Sequence, residues 1–76
     1  MIDIDLKLFV TLASFLPETP ESYQVKQGTT VADLMDELGI PSDSVKLIFV
    51  NGKKKGPGYC LNHRDRVGLF PPVGGG

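Results

Sequence analysis

The chain has no tryptophan, one histidine, one cysteine and two methionines among its 76 residues. A single cysteine excludes an internal disulfide framework and is compatible with a reducing compartment. Cys60 and His63 are too few for the roughly four ligands of a structural zinc site, so no metal site is expected. As a nucleophile and base they would lack a third group to orient the imidazole. Cys60, between Tyr59 and Leu61, reads instead as a small buried hydrophobe, and His63 as a loop residue. An excess of either charge is also missing: 8 basic and 9 acidic residues leave a formal net charge of −1. That is neither the basic footprint of a nucleic-acid binder nor a membrane-binding surface, and neither partner is expected. No stretch approaches the roughly 20 apolar residues of a membrane span. Met1 to Val10 alternates charged and apolar residues instead of forming the apolar block of a signal peptide, so a cytoplasmic protein is expected. The phosphate-cradling spacing GxxxxGK[ST] is absent, and no paired carboxylates stand out. One domain fits in 8.2 kDa, and a domain of this size buries only about 60% of its unfolded surface. A deep catalytic cleft would be hard to carve from it, and the chain is not expected to be an enzyme.

What is present is periodicity. Ile4, Leu6, Leu8 and Val10 alternate with Asp3, Asp5, Lys7 and Phe9, which predicts a first strand with one apolar face. Phe9 puts an aromatic ring on its otherwise polar side. Thr11 to Pro20 reads as a loop that tucks Leu12, Phe15 and Leu16 under the fold. Glu21 to Gln27 is the second expected strand, with Tyr23 and Val25 inward and an antiparallel hairpin to the first. Thr30 is a helix N-cap, with Asp33 at N3 approximating a capping box. Val31, Leu34, Met35 and Leu38 form one helical stripe, and Asp33, Asp36 and Glu37 an ordinary solvated face. Gly39 suits the left-handed C′ position, and Pro41 prevents continuation.

Val45 to Val50 is nearly continuous in apolar residues. Leu47 and Phe49 face one way, and Ile48 and Val50 the other, as in a strand buried on both sides. One helix can cover only one sheet face. The other, expected to carry Ile48 with Phe9 and Phe70, is therefore either an exposed partner surface or lies beneath the loop at residues 11–20. Asn51-Gly52 signals a turn. Lys53, Lys54 and Lys55 are either solvated loop lysines or a contact for an acidic partner or a phosphate. Tyr59-Cys60-Leu61 reads as a brief strand, and Asn62 to Asp65 as a tight turn. Val67 and Leu69 then alternate in the last strand, which Phe70 and Pro71-Pro72 end.

Gly74-Gly75-Gly76 follow. Without a Cβ they could thread a narrow channel in another protein, placing a working carboxylate at Gly76. A flexible linker or a cloning scar would leave the same residues.

The order strand, strand, helix, strand, short strand, strand resembles the ubiquitin-like β-grasp fold. Leu8-Phe9-Val10-Thr11-Leu12, Thr30-Val31-Ala32-Asp33-Leu34 and Val50-Asn51-Gly52-Lys53 resemble segments of the bacterial and archaeal sulfur carriers. The run from Asp65 to Gly76, with Phe70-Pro71-Pro72 and the terminal glycines, is very similar to the end of the molybdopterin synthase small subunit. The thiamine-thiazole sulfur carriers share the fold and the diglycine.

This resemblance implies an α+β fold, a mixed sheet of four to five strands packed on one main helix. It implies a β-grasp domain over residues 1–73 and a flexible glycine tail over 74–76. By the same resemblance, the Gly76 carboxylate would be adenylated with ATP by a ubiquitin-E1-like adenylyltransferase and converted to a thiocarboxylate. The chain itself would bind no cofactor. Gly74 and Gly75 would thread into a sulfur-accepting synthase, either the large molybdopterin synthase subunit or a thiazole synthase. Phe70, Pro71 and Phe9 would dock on its apolar groove. A carrier supplying another sulfur metabolite and a modifier joined to lysines through Gly76 are the remaining alternatives. The family's acidic-glycine turn is replaced here by Asn62-His63-Arg64-Asp65.

Overall fold

Alternating apolar residues dictate which side of each strand is buried, and the helix supplies the surface that buries them. The computed structural model describes residues 1–72; Val73 and the expected tail, Gly74, Gly75 and Gly76, lie outside the described residues. Five strands form one mixed sheet: β1 (Ile2–Leu8), β2 (Tyr23–Val25), β3 (Leu47–Val50), β4 (Lys53–Lys54) and β5 (Arg66–Phe70). Their order across the sheet is β2-β1-β5-β3-β4. The β1–β5 pair is parallel, and the β1–β2, β3–β5 and β3–β4 pairs are antiparallel. The helix α1 (Val31–Leu38) packs on one face. This is the ubiquitin-like β-grasp architecture expected from the sequence.

The register aligns the buried residues strand by strand. Ile2 pairs with Val25, Leu6 with Val67 and Leu8 with Leu69. On the other side of β5, Ile48 pairs with Leu69 and Val50 with Val67. All of these belong to the core, together with Val31, Leu34 and Met35 of α1 and the loop residues Leu12, Ile40 and Leu61.

The start of α1 shows why the chain turns helical at Thr30. The Asp33 N–H donates to Thr30 Oγ1 (3.1 Å) and the Thr30 N–H to Asp33 Oδ2 (3.2 Å), a reciprocal capping box. The two remaining first-turn donors are met by the loop before β5: Val31 N–H reaches the Tyr59 carbonyl (3.0 Å) and Ala32 N–H the Pro57 carbonyl (2.9 Å). Gly39 ends the helix in the left-handed region at φ 78°.

Four expectations are corrected. The first strand stops at Leu8, because Val10 turns to φ 55° and opens a 3-10 segment over Val10–Phe15. Val10 is thereby 74% exposed and not on the inner face. That segment sends Leu12 into the core with Phe15 packed against it, as expected, and leaves Leu16 39% exposed. The second strand is shorter than residues 21–27, since Pro20 starts a 3-10 turn over Pro20–Ser22 and Thr29 N–H closes another onto the Lys26 carbonyl (3.1 Å). Ile48 is a core residue, because its antiparallel pairing with Leu69 turns it toward the helix; Phe49 takes the opposite face. Cys60 is exposed, since its strand is reduced to a single bridge with Thr30.

Candidate partner-docking face

The sheet face away from α1 is built from the residues one step along each strand from the core set. Register places Asp5 beside Arg66, Lys7 beside Gly68, Phe49 beside Gly68 and Leu47 beside Phe70. Phe9 follows β1, anchored by its N–H to the Leu69 carbonyl (3.1 Å). Its ring stacks parallel on Phe70, with centroids 4.2 Å apart and planes 5° apart. Phe49 meets Phe70 edge-on, at 5.6 Å and 83°. Each such aromatic pair adds about 0.5–1.5 kcal/mol beyond the area it buries.

Gly68 lies beneath this cluster. It sits in mid-strand without a side chain, so the rings of Phe9 and Phe70 lean over it. A Cβ there would lie 3.5 Å from Phe9 Cε2 and 3.7 Å from Phe70 Cε1, in ordinary contact. The result is an open depression of about 370 Å³ lined by Lys7, Phe9, Phe49, Arg66, Gly68 and Phe70. Its floor is aromatic and its charged lining residues are both cations. These partly exposed rings make the depression a candidate docking face.

A polar clasp holds β5 at the required register. Asp65 is buried, and its carboxylate accepts from Asn51 Nδ2 (2.9 Å) and the Asn62 N–H (2.8 Å). Asn51 Oδ1 in turn accepts from the Arg66 N–H (2.9 Å). The turn after Asn62 is pinned to β1, since the Asp3 N–H donates to His63 Nδ1 (3.0 Å) and the Arg64 N–H to the Asp3 carbonyl (2.7 Å). His63 is thus a turn residue with a structural bond. Among the described residues no buried side-chain nitrogen or oxygen lacks a partner, and no group of three or more His, Cys, Asp or Glu is placed to hold a metal ion.

Of the partner-contact residues expected from sequence, Phe9 and Phe70 are brought together. Ile48 is in the core, 7% exposed, and cannot line this face. Pro71 is also buried, so it backs the end of β5 instead of presenting a free apolar surface. Gly74, Gly75 and Gly76 are outside the described residues. Sequence reasoning missed Phe49, Gly68, Lys7 and Arg66. The usable signal was Gly68: a glycine inside a strand marks close approach by other groups.

Comparison with known proteins bears on what such a face is for. The model of the Mut7-C ubiquitin family matches residues 1–74. Among solved structures, the chain is similar to small archaeal modifier protein 1 of Haloferax volcanii, known from two crystal structures. The first shares 24% identity at a TM-score of 0.70, over 96% of this chain and 100% of that one. The second shares 25% identity at 0.68, over 97% and 99%. The solution structure of the Haloferax volcanii HVO 2177 protein matches at 22% identity and a TM-score of 0.72, over 99% of this chain and 87% of that one. No curated protein is a significant match.

Proposed function

Because the chain belongs to the Mut7-C ubiquitin family, a ubiquitin-like group with the small-modifier and sulfur-carrier type of fold, we propose that it is a sulfur carrier working through a thiocarboxylate at Gly76. The observation that carries this reading is the stacked Phe9–Phe70 pair on the uncovered sheet face. Phe70 is the last residue of β5, from which the sequence runs through Pro71-Pro72 to the glycines. A partner gripping the rings would hold the chain beside the start of that glycine segment.

The reading requires a free carboxylate at Gly76. A carboxylate is a poor acyl electrophile. Its oxygen attacks the α-phosphorus of ATP on an E1-like adenylyltransferase, pyrophosphate leaves, and an acyl adenylate forms. A sulfide nucleophile then attacks the carbonyl carbon. The C–S bond forms, the C–O bond to AMP breaks, and a thiocarboxylate remains. Its sulfur is the nucleophile delivered to the acceptor. The carrier needs no bound cofactor, and the recipient's catalytic groups belong to the partner. Phe70-Pro71-Pro72 favours the large molybdopterin synthase subunit as that partner, with thiazole synthase the alternative.

Intact mass of the untagged protein from its native host tests this. Exchange of one oxygen for sulfur, located at Gly76 and lost on deleting Gly76, is the expected outcome. No exchange after incubation with ATP, sulfide and host extract overturns it. Sulfur transfer to a purified pterin precursor with the large subunit then separates the recipients. A second reading, a modifier joined to lysines through Gly76, is supported by the likeness to proteins called small archaeal modifiers. Gly-Gly remnants on host lysines after digestion are its signature, and their absence counts against it.

A further inference from the structure

The lysine run after the Asn51-Gly52 turn has no part in the sulfur-carrier reading. It borders a second concavity, a groove of about 320 Å³ between α1 and the β3–β4 edge of the sheet. Met35, Val45, Ile48 and Pro57 give the groove its apolar lining, with Lys46 and Lys55 as the cations beside it; Lys54 borders it along the β4 edge, and its register opposite Phe49 sends its side chain to the other face. We propose that this groove is a separate docking site for an acidic peptide, an apolar segment flanked by carboxylates.

Three features separate it from a set of solvated loop lysines. First, the Lys55 ammonium is placed: its Nζ lies 5.1 Å from the centroid of the Tyr59 ring, within cation–π range. Second, the walls are fixed before any ligand arrives. The Lys55 N–H donates to the Ile48 carbonyl (2.9 Å), and the Pro57 carbonyl accepts the Ala32 N–H of α1 (2.9 Å). A site that needs no ordering loses less free energy on binding. Third, the groove runs along an open edge. With Phe49 opposite Lys54 and the Lys55 N–H turned to β3, antiparallel alternation turns the Lys54 N–H and carbonyl outward. An extended peptide could add there as a further strand.

The apolar lining decides between an acidic peptide and a simple phosphate. A phosphate would use the ammonium groups and leave the accessible apolar surface of Val45 and Pro57 uncovered. A Leu-Val pair fills that surface while flanking carboxylates meet the lysines. The occupant is therefore an apolar-acidic segment. The site shares no lining residue with the aromatic depression and does not depend on Gly76.

An NMR titration of the full ¹⁵N-labelled chain with the capped hexapeptide Glu-Asp-Leu-Val-Glu-Asp tests the site. Saturable shifts are expected at the amides of Met35, Lys54, Lys55 and Gly56, with Gly68 and Phe70 unmoved. Replacing the Leu-Val pair by Ser-Ser, or making the double variant Lys46→Glu/Lys55→Glu, should weaken binding at least tenfold. Lys46→Glu alone, outside the strands, should weaken it severalfold and serves if the double variant loses its native spectrum. Raising salt from about 0.05 to about 0.5 M should also weaken binding, because these charges are screened. Absence of shifts at about 5 mM peptide overturns the proposal, since that concentration detects even millimolar affinity. So do shifts confined to the aromatic face, or equal binding of the Ser-Ser peptide. Failure to find a thiocarboxylate would leave this titration unchanged, so the two readings fail separately.

Discussion

On one face of the sheet, Ile4, Leu6, Val67 and Leu69 are at most 3% exposed beneath α1. One residue along the same strands, Asp5, Lys7, Arg66, Gly68 and Phe70 stand on the face the helix leaves uncovered. The first face is aliphatic and interlocked by register. The second is charged at one end and aromatic at the other, with a glycine where a side chain would fill the gap. A face serving stability alone would gain from polar residues and a filled Gly68. Phe9, Phe49 and Phe70 clustered over a bare strand make this the face on which the proposed function places its partner.

The sharpest test of this contrast uses adjacent residues of β3. Ile48→Ala should cost about 2–5 kcal/mol, the range for a buried aliphatic residue. In a domain this small that loss unfolds much of the population, as urea denaturation would report. Phe49→Ala should cost clearly less, because Phe49 is only partly buried. Equal losses at the two positions would erase the distinction between the faces.

Phe9→Ala comes next. It removes the stack on Phe70, worth about 0.5–1.5 kcal/mol, and leaves the core untouched. If the chain carries sulfur as proposed, transfer to the partner should nevertheless fall tenfold or more in a reconstituted assay. A loss of stability with unchanged transfer would reduce the pair to packing alone.

Val10 and Arg64 sharpen the comparison from another side. Both hold positive φ without being glycine, at 55° and 70°. Left-handed backbone costs an ordinary side chain roughly 1 kcal/mol, and a β-branched one is a rarer case still. Arg64→Gly should stabilise the chain by about 0.5–1 kcal/mol, read as a raised urea midpoint. Val10→Gly should do the same. If it also weakens partner binding, Val10, exposed beside Phe9, belongs to the docking face.

The smallest effect lies at the β2 edge. Tyr23 Oη donates to Glu37 Oε1 (2.9 Å). Partial burial first, then that hydrogen bond and the Glu37 charge, raise the phenol above the ordinary tyrosine value. The folded state therefore holds the proton more tightly than the unfolded one. The resulting stabilisation is complete below the unfolded value of about 10 and is lost as pH climbs through the higher folded value. Tyr23→Phe should flatten the alkaline limb of the stability curve and lower neutral-pH stability by no more than about 0.5 kcal/mol, the loss of one exposed hydrogen bond.

How far these features were legible in the chain differs by element. The helix was readable almost to the residue, since Thr30, Asp33 and Gly39 act through local backbone chemistry. β5 was readable from Val67 and Leu69 and from the prolines behind it. The end of β1 was not: alternation continues through Val10, and only the 3-10 turn that carries Leu12 into the core breaks it. Cys60 looked buried between two hydrophobic neighbours, because nothing local says that its strand shrinks to one bridge.

The chain alone determined the α+β class, the single helix with its caps, the Asn51-Gly52 turn and the two aromatics Phe9 and Phe70. These depend on periodicity and turn chemistry acting over a few residues. Tertiary structure decided which half of the apolar run from Val45 to Val50 faces the helix. In a strand with hydrophobes on both sides, a shift of one residue exchanges the faces, and local sequence is indifferent to the choice. Pairing with β5 breaks the tie: Ile48 opposite Leu69 and Val50 opposite Val67 bury the aliphatic set, leaving Phe49 and Gly68 with Phe9 and Phe70 on the open face.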